Sequence, residues 1–520
     1  MSFPIFKLPK LPPMKYLAAF MALSLVVSAF GQELIELEWI DNQPMSTADV
    51  QRAESGEIYL ASTIYNNPED TAAAIAMKFN ANLELEWAKQ LRTFNDDDFG
   101  SVHILSDGNI LYGGGLGAFF SPLLGGSLYK VDPDGNVLWS KVYPGSDDDR
   151  ISEIFELNNG ELLLANRRGV SNQPTFFLHT DSQGNILEQF TLTYEDQALK
   201  PTSMTFDGTN FYAASRVFND ALEPVLLLMA FNLNEVIWAK TVNPGQEFSS
   251  GMIFPKPNGG FSVLGRVVDE ESVFNGLDIW LFETDETGNP GWSKHLFRPN
   301  NGFTELGSGL VHLDDGFLVS YRFQTEFGLV PVFSRFDDQG NLIWIRESLG
   351  SSMSYLTLLD DELALMAGPG SNGGVGLGIS SVDGVTACGT VDIEVQVDDL
   401  SVTTTDVIVT FDESDIEEDV PEYSVIDLTF EMEELCSATL SLGEVINSDF
   451  RIYPNPAAAM CYIDGLNKTS VLDISDISGR VLISQTMSDT NPGVDLKSLS
   501  PGIYLISIDG TFAGRILVER

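Results

Sequence analysis

Six of the seven tryptophans in this chain recur at a regular spacing of close to fifty residues. A period of this length is typical of propellers, solenoids and other arrays, in which each unit buries its apolar face against its neighbours. Glu188 stands where a further tryptophan would keep the spacing, and Trp280 alone is out of register. The tryptophans in register are Trp39, Trp87, Trp139, Trp238, Trp292 and Trp344.

Each period carries the same order of strand and turn signals. In the third period, β-forming apolar runs are separated by turn sequences that end in Gly160 and in Gly184-Asn185. Glycine supplies the positive φ that tight hairpin turns require. Four short strands per fifty residues, without helix-length amphipathic periodicity, predict one propeller blade per period. The runs of the third period occupy residues 151–157, 161–165, 175–179 and 186–190.

The spacing also gives a blade count. Seven periods separate Trp39 from Cys388, the last residue that matches the repeat. The strand predicted at residues 34–40 precedes the first complete period and therefore lacks a blade of its own. Pairing it into the last blade would cover two sheet edges at once. We therefore predict an all-β fold in which residues 32–388 form a seven-bladed β-propeller closed by the N-terminal strand.

The repeated "D..G...W" strand resembles the repeats of quinoprotein-like (PQQ-like) β-propellers over residues 33–390. The resemblance implies that each tryptophan docks onto the neighbouring blade. Many members of that group hold their quinone with residues that include a vicinal cysteine pair, and this chain has no such pair. We expect no quinone cofactor.

The last seventy residues carry three motifs in a fixed order: Tyr453-Pro454-Asn455-Pro456, then a predicted hairpin with Gly479, then Pro501-Gly502-Ile503-Tyr504. They resemble the C-terminal sorting domain (type A) of cargo for the type IX secretion system of Gram-negative bacteria. The resemblance covers residues 450–520 and implies a small β-sandwich that the type IX secretion machinery recognises. We therefore expect a protein that is secreted or held at the outer cell surface. The motif residues are Tyr453, Pro454, Asn455 and Pro456, then Gly479, then Pro501, Gly502 and Tyr504.

The N-terminus has the pattern of a secretory signal peptide. Lys7, Lys10 and Lys15 precede an apolar run at residues 16–27, and small residues follow it. A basic region, a short apolar region and small residues before the cleavage point are the features of such a signal. We predict a signal peptide at residues 1–31, cleaved between Gly31 and Gln32. No later stretch approaches twenty apolar residues, so we expect no transmembrane segment.

The formal net charge is −47, from 75 acidic and 28 basic residues. Such a charge repels nucleic acid and anionic lipid, and it excludes both classes of partner. Two acidic clusters recur 51 residues apart, in predicted loops around the mouth of the channel. Their carboxylates could hold Ca²⁺, or they could cap turns through hydrogen bonds. The clusters are Asp96, Asp97 and Asp98, and Asp147, Asp148 and Asp149.

Residues 347–450 contain no lysine or arginine. We interpret residues 389–436 as an acidic β-rich segment, either a small β-module or extra strands on the last blade, and residues 437–449 as a linker. Cys388 and Cys436 bracket this segment and are expected to form a disulfide after export. Cys461 lies in the sorting domain and is left over.

The sequence contains no catalytic constellation that we can recognise, and we assign no catalytic residue. We therefore expect a non-catalytic module that binds an extracellular glycan or protein, with no cofactor except, on the acidic clusters, Ca²⁺. The alternative is a carbohydrate-active hydrolase or lyase with a carboxylate site at the propeller channel. Among 75 acids the sequence alone does not show which carboxylates converge.

Overall fold

A computed structural model of the chain separates Leu34–Ala438 from a second compact unit that contains Thr439–Arg520. The residues that the structure describes are 32–40, 45–66, 71–92, 96–117, 125–145, 149–167, 174–219, 221–268, 277–297, 305–325, 328–349, 355–359, 363–369, 375–413, 419, 423–428, 430–440, 451–453, 457, 460–464, 469–475, 481–487, 493–500, 502–508 and 511–518.

Within these residues every regular element is a β-strand, which confirms the all-β class. Between residues 32 and 381 the described strands fall into antiparallel groups of four, and the strands of most groups are consecutive in sequence. Two of the groups are joined into one sheet by a single residue pair, Arg150 with Gly115. Group 1 contains β2 (Met45–Arg52), β3 (Ile58–Asn66), β4 (Thr71–Phe79) and β5 (Leu85–Arg92). Group 2 contains β6 (Asp96–Ile104), β7 (Ile110–Gly117), β8 (Gly125–Val131) and β9 (Val137–Pro144). Group 3 contains β10 (Arg150–Glu156), β11 (Leu162–Arg167), β12 (Phe176–Thr180) and β13 (Ile186–Tyr194), with the short β14 (Gln197–Ala198) beside β13.

The remaining groups repeat the same order. Group 4 contains β15 (Pro201–Phe206), β16 (Phe211–Phe218), β17 (Pro224–Phe231) and β18 (Val236–Asn243). Group 5 contains β19 (Phe248–Pro255), β20 (Phe261–Val268), β21 (Leu277–Thr284) and β22 (Pro290–Phe297). Group 6 contains β23 (Glu305–Leu313), β24 (Gly316–Thr325), β25 (Gly328–Phe336) and β26 (Leu342–Ser348). Group 7 contains β27 (Tyr355–Leu358), β28 (Leu363–Pro369), β29 (Val375–Ser381) and the N-terminal β1 (Gln32–Ile40).

β1 takes the outer place of group 7 although it begins the chain. It pairs with β29 in antiparallel register, with Glu36 opposite Gly378 and Trp39 opposite Val375. The apolar side chains that face neighbouring groups form core clusters, such as the one that joins Met77 and Phe79 of group 1 to Leu365 and Leu377 of group 7. The first and last groups along the chain therefore share a core.

Five of the periodic tryptophans pack on turns of the following group, namely Trp87, Trp139, Trp238, Trp292 and Trp344. The Trp87 indole donates a hydrogen bond to the Pro133 carbonyl at 3.0 Å, and the Trp292 indole donates to the Asp338 carbonyl at 3.1 Å. At Gly340 of that second turn a Cβ would lie 2.6 Å from the Trp292 ring. Glycine is needed here both for its φ of 73° and for this close approach.

Where the tryptophan is missing, the glycine is missing too. Glu188 of group 3 replaces the tryptophan, and the corresponding turn of group 4, residues 232–235, contains no glycine. In this turn the Asn232 side chain accepts the backbone N–H groups of Asn234 and Glu235 instead. The loss of the indole on one group thus coincides with the loss of the glycine that admits it on the next.

Residues 390–440, which we name the belt, run along the outer edges of these groups. The belt meets groups 6, 5, 4, 3, 2, 1 and 7 in that order, opposite to the direction of the chain before it. Both predicted alternatives for the segment, a separate module and extra strands on the last blade alone, are therefore wrong. Its strands are β30 (Thr390–Asp392), β31 (Gln396–Asp399), β32 (Thr403–Asp406), β33 (Thr410–Glu413), β34 (Ser424–Asp427) and β35 (Glu431–Leu440).

Each of the first four of these strands is antiparallel to the fourth strand of its group. β34 pairs in the same way with β5, Asp419 forms a bridge with Val142 of β9, and β35 lies beside β1. Because β35 continues to Leu440, the predicted linker cannot begin at residue 437, and residues 441–450 lie outside the described residues.

The C-terminal unit contains two small sheets over one core. β37 (Met460–Asp464) lies between β36 (Arg451–Tyr453) and β40 (Gly493–Asp495). The second sheet has the order β39 (Val481–Met487), β38 (Ser470–Ser475), β41 (Gly502–Ile508) and β42 (Thr511–Val518). Cys461, Leu472, Ile506 and Ile516 are buried between them. Within the described part of the chain we find no helical segment with the length and hydrophobicity needed to cross a bilayer.

Candidate functional site

The first strands of groups 1 to 6 share an irregularity at one position. In each of β2, β6, β10, β15, β19 and β23 the register against the second strand shifts by one residue. A β-bulge of this kind bends the strand and turns the next side chains in a new direction. The residues directly after the shift include Asp49, Ser101, Glu153 and Ser203. Carboxylates therefore occupy the equivalent position in groups 1 and 3.

Side chains at this position connect neighbouring first strands. The Asp49 carboxylate accepts the backbone N–H of Val102 at 3.0 Å, and the Ser203 hydroxyl oxygen accepts the N–H of Ile253 at 3.2 Å. Glu153 accepts the N–H of Met204 in the same way. These bonds fix the first strands of adjacent groups side by side.

A cavity of about 360 Å³, which we name the mouth cavity, lies where several first strands begin. Arg150, Arg167, Asp98, Glu153 and Tyr355 line it. The Arg150 guanidinium forms an ion pair with Asp98 at 3.0 Å, whereas the Arg167 side chain at the end of β11 is exposed.

A third cation lies close to the mouth cavity. Burial and the nearby Arg167 guanidinium lower the pKa of Lys200, and Asp149 opposes that change. Two guanidinium groups thus line one cavity, and a lysine lies near one of them, in a chain whose acids outnumber its bases 75 to 28.

A second cavity of about 350 Å³, which we name the inner cavity, continues along the same strands. Asp49, Gln51, His103, Glu153 and Glu156 line it. Glu153 lines both cavities, so its carboxyl group lies at the boundary between them.

The two carboxyl groups have unusual acidity because protein surrounds them. Burial raises the pKa of Asp49 to about 6, against the hydrogen bonds from Val102 and Val50. Burial, and then the negative charge of Asp49, raise the pKa of Glu153 to about 8. Glu153 is therefore mostly a neutral carboxylic acid at pH 7, while Asp49 is mostly ionised. Burial and Asp49 also raise the pKa of Tyr355 to about 12.

The largest of the described cavities, about 660 Å³, lies between turns of groups 5, 6 and 7. Its two cations are paired within the protein, Lys256 with Glu283 at 2.7 Å and Arg335 with Asp315. Burial and the positive charge of Lys256 lower the pKa of His312 to about 4, so this imidazole is neutral. Asp314, Asp338 and Asp383 also line this cavity, so its acids outnumber its bases, and we favour the mouth cavity, which two guanidinium groups line, as the site.

The first of the two acidic clusters lies in a strand and not in the predicted interblade loop, and of the second cluster the structure describes only Asp149. Asp96, Asp97 and Asp98 are the first residues of β6, and Asp98 accepts the N–H of Gly115 besides pairing with Arg150. Asp149 is buried directly before β10, while Asp147 and Asp148 lie outside the described residues. Among the described residues no group of three or more metal-ligating side chains could hold an ion. The Ca²⁺ site stays a prediction.

Of the remaining predicted residues, those that the structure describes line none of these three cavities. Cys388 and Cys436 are joined by a disulfide, and Cys461 is buried as a free thiol whose pKa burial raises to about 11. In the sorting motif Tyr453 ends β36 and Gly502 begins β41, and the Tyr504 hydroxyl donates to the Ser500 carbonyl at 2.8 Å. Gln32 begins β1. Gly31, Pro454, Asn455, Pro456, Gly479 and Pro501 lie outside the described residues.

Residues 451–513 match the family described as the secretion system C-terminal sorting domain. The chain carries a type IX sorting domain. This domain indicates secretion or attachment to the cell surface, and it implies interaction with the type IX secretion machinery. Among curated proteins no relative matches the chain.

Three solved structures resemble the chain weakly. An ulvan lyase, described as a new family of polysaccharide lyase bound to -[GlcA(1-4)Rha3S]-, has a TM-score of 0.44 and 11% identity, over 67% of this chain and 94% of that one. A beta-1,2-mannobiose phosphorylase from Listeria innocua has a TM-score of 0.30 and 12% identity, over 67% and 97%. A xylan beta-1,4-xylosidase from Bacillus halodurans C-125 has a TM-score of 0.26 and 10% identity, over 72% and 100%.

Because these TM-scores are below 0.5, we transfer neither fold nor function from these three proteins. None of the three is described as a quinoprotein, and the resemblance to quinoprotein-like propellers stays a prediction from the sequence.

Proposed function

We propose that this exported protein is a binding module, built on a closed seven-bladed β-propeller, whose mouth cavity recognises an acidic glycan. The repeated groups of four strands, and the place of β1 beside β29, support the closed propeller. We also propose that residues 1–31 are removed as a signal peptide during export.

The convergence of basic side chains at the mouth cavity carries this proposal. Like charges that share a partly buried place raise the free energy unless an opposite charge is near. Asp98 forms an ion pair with Arg150, and Asp149 lies near Lys200. The exposed Arg167 at the cavity rim is left to meet an anionic group of a ligand, and a guanidinium binds carboxylate or sulfate through paired hydrogen bonds.

The polar lining supports a sugar in particular. Thr63, Ser152, Thr202 and Tyr355 bring hydroxyl groups to the cavity wall. The volume of about 360 Å³ lies in the range of roughly 300–1,000 Å³ that is usual for small-ligand sites. Hydroxyl groups for the ring and a guanidinium for its charge together suit a uronate or a sulfated sugar.

The test is the affinity of the mature chain for alginate, dextran sulfate and uncharged dextran. We expect binding to the first two and not to uncharged dextran. Salt screens the contact with the guanidinium and also the repulsion between a polyanion and a chain of net charge −47, so all affinities are compared at one salt concentration. Arg167→Ala should weaken binding about tenfold, the loss expected for one charge-assisted contact. Lys294→Gln removes a cation from an outer strand and should leave the affinity unchanged. Equal binding of uncharged dextran, or equal effects of the two variants, would refute the proposal.

The paired carboxyl groups favour one alternative, a glycan-cleaving enzyme that uses the same cavity. A neutral Glu153 could donate a proton to a leaving group while an ionised carboxylate acts as base, since two environments can give two carboxyl groups different roles. The bonds from Glu153 to Met204 and from Asp49 to Val102 give both groups a structural task as well. Release of reducing ends from a bound glycan, lost in Glu153→Gln while affinity remains, would establish the enzyme.

A further inference from the structure

The belt covers an edge that each group would otherwise expose. The fourth strand of a sheet presents unpaired backbone N–H and C=O groups to any other chain. The belt supplies short strands at these edges, and its exposed side chains include the aspartates Asp392, Asp399 and Asp406. The belt passes the groups in descending order from group 6 to group 1 and then reaches group 7.

The belt docks through a contact that recurs along it. The N–H groups of Leu400, Val407 and Leu428 donate to carbonyls of the fourth strands of groups 5, 4 and 1, each at 3.0 Å. One residue before each, an aspartate pairs with a lysine of the same fourth strand. The belt is therefore attached at similar points far apart on the molecule.

Apolar side chains of the belt fill the space between groups. Val407, Val409 and Phe411 pack into the core that groups 3 and 4 share, and the Phe411 ring stacks on Phe190 with centroids 4.0 Å apart. Leu428 and Phe430 pack into the core shared by groups 1 and 7. A belt that leaves its edges would therefore open these shared cores.

Both ends of the belt meet at one place. Cys388 lies two residues before β30 on group 6, Cys436 lies within β35 on group 7, and the two are joined across 48 residues of sequence. We propose that the disulfide closes the belt into a covalent ring round the propeller, which holds all the groups together. This inference rests on the closed propeller proposed above, but not on its ligand.

Formation of the bond suits the route of export. The two thiols lose two protons and two electrons, and the disulfide of an oxidised thiol–disulfide oxidoreductase accepts them and becomes a dithiol. Such oxidants act outside the reducing cytoplasm. The ring therefore closes only after the chain has left the compartment in which it was made.

An open belt should separate from the propeller strand by strand. With the disulfide intact, no belt strand can leave its edge far without tearing the others from theirs. With the disulfide reduced, β35 and then β34 can detach from the C-terminal end of the belt. Amide hydrogen exchange measures local opening of this kind. The hydrogen-bonded N–H groups of Leu428 and Val407 are suitable probes, because Val407 lies midway along the belt, far in sequence from either cysteine.

The experiment follows hydrogen exchange in the folded mature protein before and after dithiothreitol, which reduces the disulfide and becomes a cyclic disulfide itself. We expect exchange at Leu428 and Val407 to become at least tenfold faster on reduction. The same change should appear without reductant in the double variant Cys388→Ser, Cys436→Ser. Cys461→Ser removes the thiol outside the belt and should leave exchange at both probes unchanged. Reductant should likewise leave the exchange of amides in β38 of the sorting domain unchanged.

A change confined to residues beside Cys388 and Cys436, or no change at all, would overturn the ring and leave a local cross-link. Fast exchange across the β1–β29 pair in the oxidised protein would instead show that the propeller is not closed. Failure to bind alginate and dextran sulfate would refute the proposed ligand without affecting either result.

Discussion

Acidic side chains occur in two different environments within one unit. Those at the belt edge are exposed to solvent, whereas those on the first strands are surrounded by protein. At the edge Asp392, Asp399, Asp406 and Asp427 are 79–87% exposed, and each meets the cation of a largely buried lysine or arginine stem. Around the cavities Asp49 and Glu153 are surrounded by protein, and their pKa values are raised. Exposed ion pairs add little stability. A carboxyl group whose pKa differs between the folded and unfolded states instead makes the free energy of unfolding depend on pH. The edge charges therefore lie in register with a cation of the neighbouring strand, whereas the acidity of the cavity carboxyl groups is altered by the protein around them.

The largest effect that this comparison predicts is a dependence of stability on pH through Glu153. Its folded pKa of about 8 lies above the value of 4.5 for a free glutamate, so the folded state holds the proton more tightly. The contribution of this proton binding to the free energy of unfolding is complete below pH 4.5 and is lost as the pH rises through 8. Glu153→Gln keeps an acceptor for the Met204 N–H but cannot ionise. At pH 8 we expect it to exceed the wild type by roughly 2–4 kcal/mol, at about 1.4 kcal/mol per pKa unit.

Denaturant unfolding at pH 5, 6.5 and 8 measures this difference. The matched control is Glu54→Gln, which replaces an exposed glutamate and should shift all three values equally. Asp49→Asn should reduce the effect, because it removes the negative charge that raises the pKa of Glu153. If the free energy of unfolding of Glu153→Gln follows the same pH dependence as that of the wild type, the Glu153 carboxyl group is solvated. The acids of the cavities and those of the belt edge would then not differ in their surroundings.

A smaller effect should follow when the belt loses packing instead of charge. Phe411→Ala removes the ring that stacks on Phe190 and should cost about 2 kcal/mol, less than a fully buried phenylalanine because Phe411 is half-buried. Ile408→Ala lies three residues away with a side chain 84% exposed, and it should change stability by less than about 0.5 kcal/mol. Equal losses of free energy of unfolding in the two variants would show that the belt does not pack on the core.

The outer, periodic features of the molecule could be predicted from the sequence because one residue type marks each repeat. Trp87 and Gly135 belong to different groups yet meet, so the spacing of tryptophan and glycine encodes the packing directly. The belt had a readable signal that we missed. Asp399-Leu400-Ser401-Val402 and Asp406-Val407-Ile408-Val409 repeat an aspartate and two apolar residues at a seven-residue step, one per group. The fourth strand of each group needs a partner along its outer edge, and the seven-residue repeat of the belt supplies that partner.

The candidate site could not be predicted in the same way. Glu153 is one of 75 acids and stands in an ordinary strand sequence. It faces the cavities because of a backbone bulge, and it meets Asp49 only when groups 1 and 3 surround the same space. Arg150 and Arg167 lie opposite each other in the hairpin of β10 and β11, so hairpin register brings these two side chains together, but it does not show that they face a cavity. The meeting of Glu153 with Asp49 depends on how separate groups lie around one space, which a local pattern does not contain.

The smallest expected effect lies in the edge charges themselves. A double-mutant cycle on Asp406→Asn and Lys240→Gln isolates the energy of their pair. We expect a coupling below about 1 kcal/mol that falls as NaCl is added, because water screens the exposed carboxylate. β32 should remain docked in both variants, since the Val407 N–H still donates to the Ala239 carbonyl at 3.0 Å and Val409 remains buried. The aspartate then serves register, because Asp406 lies directly opposite Lys240 and a slip of one residue would turn it towards the core. A coupling above about 2 kcal/mol, or one insensitive to salt, would show instead that the edge pairs stabilise the belt as strongly as its apolar side chains do.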